Sequence, residues 1–213
     1  MKDVDFDIAP LFPTPVGIYK LRNFKNTYVD VNNYDKELFY ENPHQNNTVN
    51  TKSNNILLDP KFKDLKDIVD ALMEHYLYGT LCFPQTAKMK LVCSWMAIGF
   101  PGSYTNSHLH TNSLYSGILY LDSEETSGNL EFAKSFSTQT HSSNAVRPVP
   151  LVPNILNSDT WSIAPKSGEV FIFPSHLEHS VSTNTSQKNR CVLSFNYFLT
   201  GVISEDSTKG LVL

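Results

Sequence analysis

Apolar residues recur along this chain with two different periods, and the change near residue 90 predicts its architecture. Within 59–79, Leu65, Ile68, Val69, Leu72, Tyr76 and Leu77 fall three and four residues apart. That spacing lines one face of a helix and leaves a stripe that must pack on something. Asp59 supplies an N-cap acceptor, Pro60 fits the first helical position, and Gly79 is placed to end the helix. His75 sits beside the stripe as a packing or surface residue. A shorter helix is expected around 29–38, inside a stretch (23–55) rich in Asn and Asp. From residue 90 the period drops to two. Segments 91–98, 114–121, 129–132, 161–163, 169–173 and 190–199 are short aromatic and β-branched runs separated by Gly, Pro, Ser and Asn. Strands without interleaved helices predict an antiparallel sandwich or barrel, an all-β fold with minor helices.

Two segments refine that picture. In 190–197 the alternation puts Arg190, Val192, Ser194 and Asn196 on one face and Cys191, Leu193, Phe195 and Tyr197 on the other. The second face is the more apolar and is expected to bury against the helix, so the Arg190 face looks into a cavity. Segment 133–157 is rich in Ser, Thr, Asn and Pro and has no periodicity, which suits a lid, a binding loop or a disordered insert.

At 213 residues the chain is long enough for one well-buried domain, with a core over 90–200 and an N-terminal extension over 1–89. The net charge of −4, with 17 Lys and Arg spread without runs, argues against nucleic acid or an anionic membrane as partner. Lys61, Lys63 and Lys66 alternate with Asp64 and Asp67 and read as a solvated helix face. Cys82, Cys93 and Cys191 are an odd count without paired spacing, and Cys93 and Cys191, inside apolar runs, are expected to be buried free thiols. The acidic start MKDVDFDIAP lacks the features of a secretory leader, and no apolar run approaches the roughly 18 residues of a membrane span. A reducing, cytoplasmic setting is the expectation.

Candidate chemistry centres on three histidines and one arginine. His108 and His110, at i and i+2 on an extended segment, share a face, and His179 follows 169–173 on the loop beyond Pro174. Neutral imidazoles bind divalent iron, copper, zinc or nickel. The pair alone is weak evidence, since exposed polar residues also take that spacing. Arg190 strengthens it, because a guanidinium fixed on a strand matches a carboxylate with two parallel hydrogen bonds. An arginine paired with a surface acid remains the plain alternative.

Taken as an ordered set, these segments resemble the iron(II)- and 2-oxoglutarate-dependent dioxygenases, most closely their prolyl-hydroxylase-like phage and bacterial branch. FPGSYTNSH at 100–108 is similar to the lead-in to the first metal histidine. SGILYLD at 116–122 and GNLEF at 128–132 are similar to the strand, loop and strand that follow it. GEVFIFPSHLEH at 168–179 is similar to the distal-histidine segment, and RCVLSFN at 190–196 to the cosubstrate-binding strand. LFPTP at 11–15 also resembles the phage branch. The resemblance implies a double-stranded β-helix (a cupin-like jelly roll) with helices on one sheet. It implies Fe(II) held by His108, His110 and His179, with Arg190 and Tyr120 holding the distal carboxylate of 2-oxoglutarate. O2 and 2-oxoglutarate would be consumed to hydroxylate an unidentified small molecule or protein side chain, releasing succinate and CO2. A phage-encoded chain would work in the host cytoplasm. The general family pattern has Asp or Glu where this chain has His110; Asn112, His176 and Glu131 are the other residues to weigh near the site. The alternatives are a cupin-like metal enzyme that does not use 2-oxoglutarate, and a non-catalytic jelly-roll binding or virion protein.

Overall fold

A computed structural model describes residues 7–134 and 149–202. The strands are β1 (Gly17–Lys20), β2 (Phe39–Glu41), β3 (Asn46–Thr51), β4 (Ala87–His108), β5 (Tyr115–Asp122), β6 (Leu130–Ala133), β7 (Thr160–Ile163), β8 (Glu169–Pro174), β9 (Glu178–Val181) and β10 (Arg190–Gly201). The helix α1 (Lys63–Glu74) lies between β3 and β4. Every ladder between these strands is antiparallel, and the order β1-β8-β5-β10-β4-β9-β6-β7 runs as one curled sheet. β3 adds to the flank of β4, and β2 to β3.

The fold turns on β4. It pairs with β10 from Ala87 to Gly99, and its last residues pair with β9 through Thr105–Val181 and His108–His179. One strand therefore belongs to both halves of a half-barrel and delivers His108 to their junction. Between the halves, Ile118, Tyr120, Phe171 and Phe173 meet Leu130 and Phe132. On the outer face, Leu65, Val69, Met73, Tyr76 and Leu77 join a second cluster with Cys191, Leu193, Phe195 and Tyr197. The apolar face of β10 thus buries under the helix, as its alternation predicts. Tyr197 adds a polar pin by donating to Asp70 of α1.

Local departures from the sequence expectations have physical causes. Asp59 does cap Lys61 N–H, but Pro60–Phe62 is a 3₁₀ turn and the α-helix begins at Lys63. The chain continues helically past Gly79, as a π-helical segment His75–Thr80, because Tyr76 and Leu77 are fully buried and packing holds that turn. Only Lys36–Leu38 is helical in 29–38. There Asp30 accepts from Asn32 and Asn33 N–H, which satisfies backbone donors locally and competes with a helix. His179 lies on a strand rather than a loop: β9 is four residues long, too short to show a period. Of the Ser- and Pro-rich insert, 135–148 falls outside the described residues. Within the segment expected as an N-terminal extension, β1 pairs with β8 and β3 with β4, so both strands belong to the sheet. No helix among the described residues is long and apolar enough to cross a membrane.

Candidate functional site

His108 and His179 come from two strands that the β4–β9 ladder brings side by side, and His110 comes from the loop after β4. His108 ends β4 directly opposite His179 of β9. His110 lies two residues past the strand end, where its backbone N–H donates to the Ser175 carbonyl at 2.9 Å. That bond ties the 109–114 loop to the turn before β9. One ring nitrogen from each of the three can be chosen so that all lie within 4.8 Å of one another. Ring centroids are 4.3 Å apart for His108 and His179, and 5.3 and 5.2 Å for the pairs with His110. Phe173 meets His179 edge-on at 4.8 Å, and Trp95 stacks on His110 at 6.0 Å.

Nδ1 of His108 lies 2.8 Å from the Asn106 carbonyl, and Nδ1 of His179 lies 2.9 Å from the Leu177 carbonyl. A carbonyl only accepts, so each Nδ1 carries the proton and each Nε2 presents a lone pair. Burial pushes the His179 imidazole down to about 3 and the His110 imidazole down to about 4, and the neighbouring His108 adds to both shifts. At neutral pH both rings are uncharged, the form that ligates a metal.

The same cavity holds the arginine. Arg190 opens β10, is 5% exposed, and lines the cavity with Tyr120, His108, His110 and His179. Its Nη1 donates to the Ser127 carbonyl, and among the described residues no carboxylate pairs with it. Burial lowers its pKa, but a guanidinium remains charged in proteins. Tyr120 belongs to β5, opposite Val192. Its hydroxyl is buried and has no hydrogen-bond partner among the described residues. Burial raises that phenol to about 12, against the pull of Arg190, so it is a donor at neutral pH. The guanidinium is housed by two glycines. A Cβ on Gly128, which has φ +98°, would lie 2.7 Å from Arg190 Nη1 and 2.3 Å from the Ser182 carbonyl oxygen. A Cβ on Gly99 would lie 3.1 Å from Nη2.

The other residues weighed from sequence fall elsewhere. Asn112 and His176 are exposed, and the histidine cluster does not include His176. Glu131 accepts from Ser180 at 3.2 Å on the face of β6 opposite Leu130 and Phe132, away from the core between the halves. Two cavity residues, Gln45 and Trp95, escaped sequence reasoning. Gln45 sits in the turn leading into β3, far from the motifs, and its side-chain oxygen is buried with no partner among the described residues. Trp95 precedes the motif region. Asn196 carries a legible signal: it shares the period-two face of Arg190, and it contacts His110.

Residues 93–196, the span holding all three histidines and Arg190, match the family described as "Putative 2OG-Fe(II) oxygenase". Over that span, just under half of the chain, the sequence is similar to the 2OG-Fe(II) oxygenase family. Among solved structures it is similar to a 2OG-Fe(II) oxygenase family oxidoreductase from Burkholderia pseudomallei, with 11% identity, TM-score 0.50 and coverage of 71% of this chain and 66% of that one. The non-heme alpha-ketoglutarate-dependent epimerase SnoN of nogalamycin biosynthesis gives 14% identity and TM-score 0.53, covering 75% and 66%. HygX from Streptomyces hygroscopicus, solved with nickel, 2-oxoglutarate and hygromycin B, gives 13% and 0.52, covering 87% and 83%. The chain thus spans just under two thirds of the first two proteins. At these identities the likeness is one of fold. A search of curated proteins finds no match.

Fe(II) and 2-oxoglutarate are the metal and cosubstrate of this family. The residues present fit both. The neutral imidazoles His110 and His179 and the committed Nδ1 protons of His108 and His179 suit a divalent first-row ion. A buried guanidinium beside an orphaned hydroxyl suits a carboxylate.

Proposed function

We propose that this chain is an iron(II)- and 2-oxoglutarate-dependent oxygenase that hydroxylates a C–H bond of a small molecule or a protein side chain, consuming O2 and releasing succinate and CO2. One observation carries the reading: a cluster of three histidines and a buried guanidinium that has no carboxylate partner among the described residues line one cavity. A metal enzyme with no acidic cosubstrate has no use for the second feature. Leaving a buried cation and a buried hydroxyl unpaired costs stability that function must justify.

In this reading His108, His110 and His179 hold the metal, and Arg190 with the Tyr120 hydroxyl holds the distal carboxylate of 2-oxoglutarate. Bound iron supplies the oxidising power, coupled to decarboxylation of the cosubstrate. The chain supplies placement. Arg190 fixes one end of the cosubstrate on a strand whose other face is locked under α1, so the anchor has little freedom to drift. Ile118, Phe173 and Val192 wall the cavity with apolar surface and exclude water from the reacting region.

The test is anaerobic calorimetry with Fe(II). The wild-type chain is expected to bind one equivalent, and His108→Ala, His110→Ala and His179→Ala are each expected to bind far more weakly while remaining folded. A wild-type chain that takes up no iron, or three variants that bind it normally, would contradict the reading.

A further inference from the structure

His110 stands where the family pattern has a carboxylate, and its environment differs from that of the other two histidines. His108 and His179 each face a backbone carbonyl with Nδ1. His110 instead faces the carboxamide of Asn196, whose Nδ2 lies 2.9 Å from its Nδ1. That amide is held at its other end by Ser116, with Oγ 2.7 Å from Oδ1. Ser116 Oγ is 2.8 Å from Ser175 Oγ, which is 2.8 Å from Ser113 Oγ. The chain of polar groups is buried at Ser116, Ser175 and Asn196, and it returns to the loop that carries His110.

An amide N–H facing Nδ1 requires a lone pair there, which puts the ring proton on Nε2 and removes that nitrogen as a ligand. An amide oxygen facing Nδ1 requires the proton on Nδ1 and frees Nε2. The two ends of a carboxamide are nearly the same size, so either occupies the position beside the ring. The remaining contacts tolerate both orientations. Ser116 donates to the amide oxygen in one and accepts from the amide N–H in the other. Ser175 and Ser113 hydroxyls rotate to follow, and the Cys93 thiol, 3.3 Å from the amide, acts as weak acceptor or weak donor.

We propose that Asn196 is the positioning residue for His110, and that its amide turns its oxygen to Nδ1 when Nε2 takes the metal. The serine chain Ser116–Ser175–Ser113 reverses its hydrogen-bond polarity in step. Asn196 thereby does by side chain what the Asn106 and Leu177 carbonyls do for the other two rings. The inference rests on the reading of His110 as a metal ligand.

The test uses Zn(II) alone, a diamagnetic probe, with affinity measured by chelator competition and the His110 ring protons followed by nitrogen-15 NMR. In the loaded wild-type chain the His110 proton is expected on Nδ1 and protected from exchange. Asn196→Leu, which keeps size but not polarity, is expected to lose about 10- to 100-fold in affinity, the usual effect of removing such a partner, together with that protection. Asn196→Asp always presents an oxygen and is expected to keep wild-type affinity and the protected Nδ1–H. Wild-type affinity and protection in Asn196→Leu would overturn the inference while leaving the metal centre standing. Equal losses in both variants would reduce Asn196 to a packing role and overturn it too. If Asn196→Leu does not fold, the wild-type spectrum decides, and a proton on Nε2 in the loaded chain overturns the proposal. A wild-type chain that binds neither Zn(II) nor Fe(II) would overturn the underlying reading itself.

Discussion

Replacing Arg190 by alanine separates cosubstrate binding from metal binding. The guanidinium is 5% exposed, opens a strand held on both sides by β4 and β5, and has one nitrogen committed to the Ser127 carbonyl. A carboxylate bound there would form a charge-assisted pair away from water. Truncating one member of such a pair costs about 2–5 kcal/mol, because the other charge is left buried and unmatched. The Tyr120 hydroxyl remains in Arg190→Ala, so the lower part of that range applies, a loss of about 30- to 300-fold in 2-oxoglutarate affinity. Calorimetry on the anaerobic iron-loaded chain measures it, with Fe(II) affinity as the control. Iron binding is expected to be unchanged, since Arg190 lies outside the histidine cluster. Arg190→Lys should fall between, because it keeps the charge without the two-pronged geometry. Unchanged 2-oxoglutarate affinity in a folded Arg190→Ala chain refutes the reasoning, and so does an equal loss of iron.

Tyr120→Phe should move two measurements in opposite directions: removing an orphaned buried hydroxyl leaves thermal stability equal or higher, while 2-oxoglutarate binding weakens by about 1.5–3 kcal/mol, the range for a hydrogen bond to a charged group. Lower stability with normal cosubstrate binding would be the contrary result. Gly128→Ala places a side chain at φ +98° and 2.3 Å from the Ser182 carbonyl oxygen, and is expected to cost about 1–3 kcal/mol in urea unfolding and to disturb Arg190. The pH dependence of the metal-free chain follows from the imidazoles of His110 and His179, which titrate near 4 and 3 when folded against 6.5 when unfolded. Between pH 6.5 and about 4 the unfolded chain binds more protons, so stability falls as pH is lowered, by up to about 1.4 kcal/mol per pH unit for each histidine. A flat profile in that window, or one unaffected by His110→Asn, would contradict the burial of these rings.

The larger architecture is written in the sequence because it depends on periods. The stripe of Leu65, Val69, Tyr76 and Leu77 and the alternation in 190–197 each name a buried face, and the two faces meet. The same alternation puts Arg190 and Asn196 on the cavity side, and the two-residue spacing of His108 and His110 keeps them together. What the sequence hides is set by register and by distant contacts. β9 is too short to announce itself, so the pairing of His179 with His108 emerges only in the folded sheet. Gln45 and Trp95 reach the cavity from segments with no recognisable chemistry, placed there by the β3–β4 and β4–β10 ladders. The end of the helix is decided by the burial of Tyr76 and Leu77 and not by Gly79.

The most direct test of the central claim is an anaerobic absorption titration of the iron-loaded chain with 2-oxoglutarate. If metal and cosubstrate share the cavity of His108, His110, His179 and Arg190, a metal-to-ligand charge-transfer band grows in and saturates at one equivalent. It is absent in His179→Ala, and in Arg190→Ala it requires much higher 2-oxoglutarate. A loaded wild-type chain that develops no band at any concentration of 2-oxoglutarate would contradict the account.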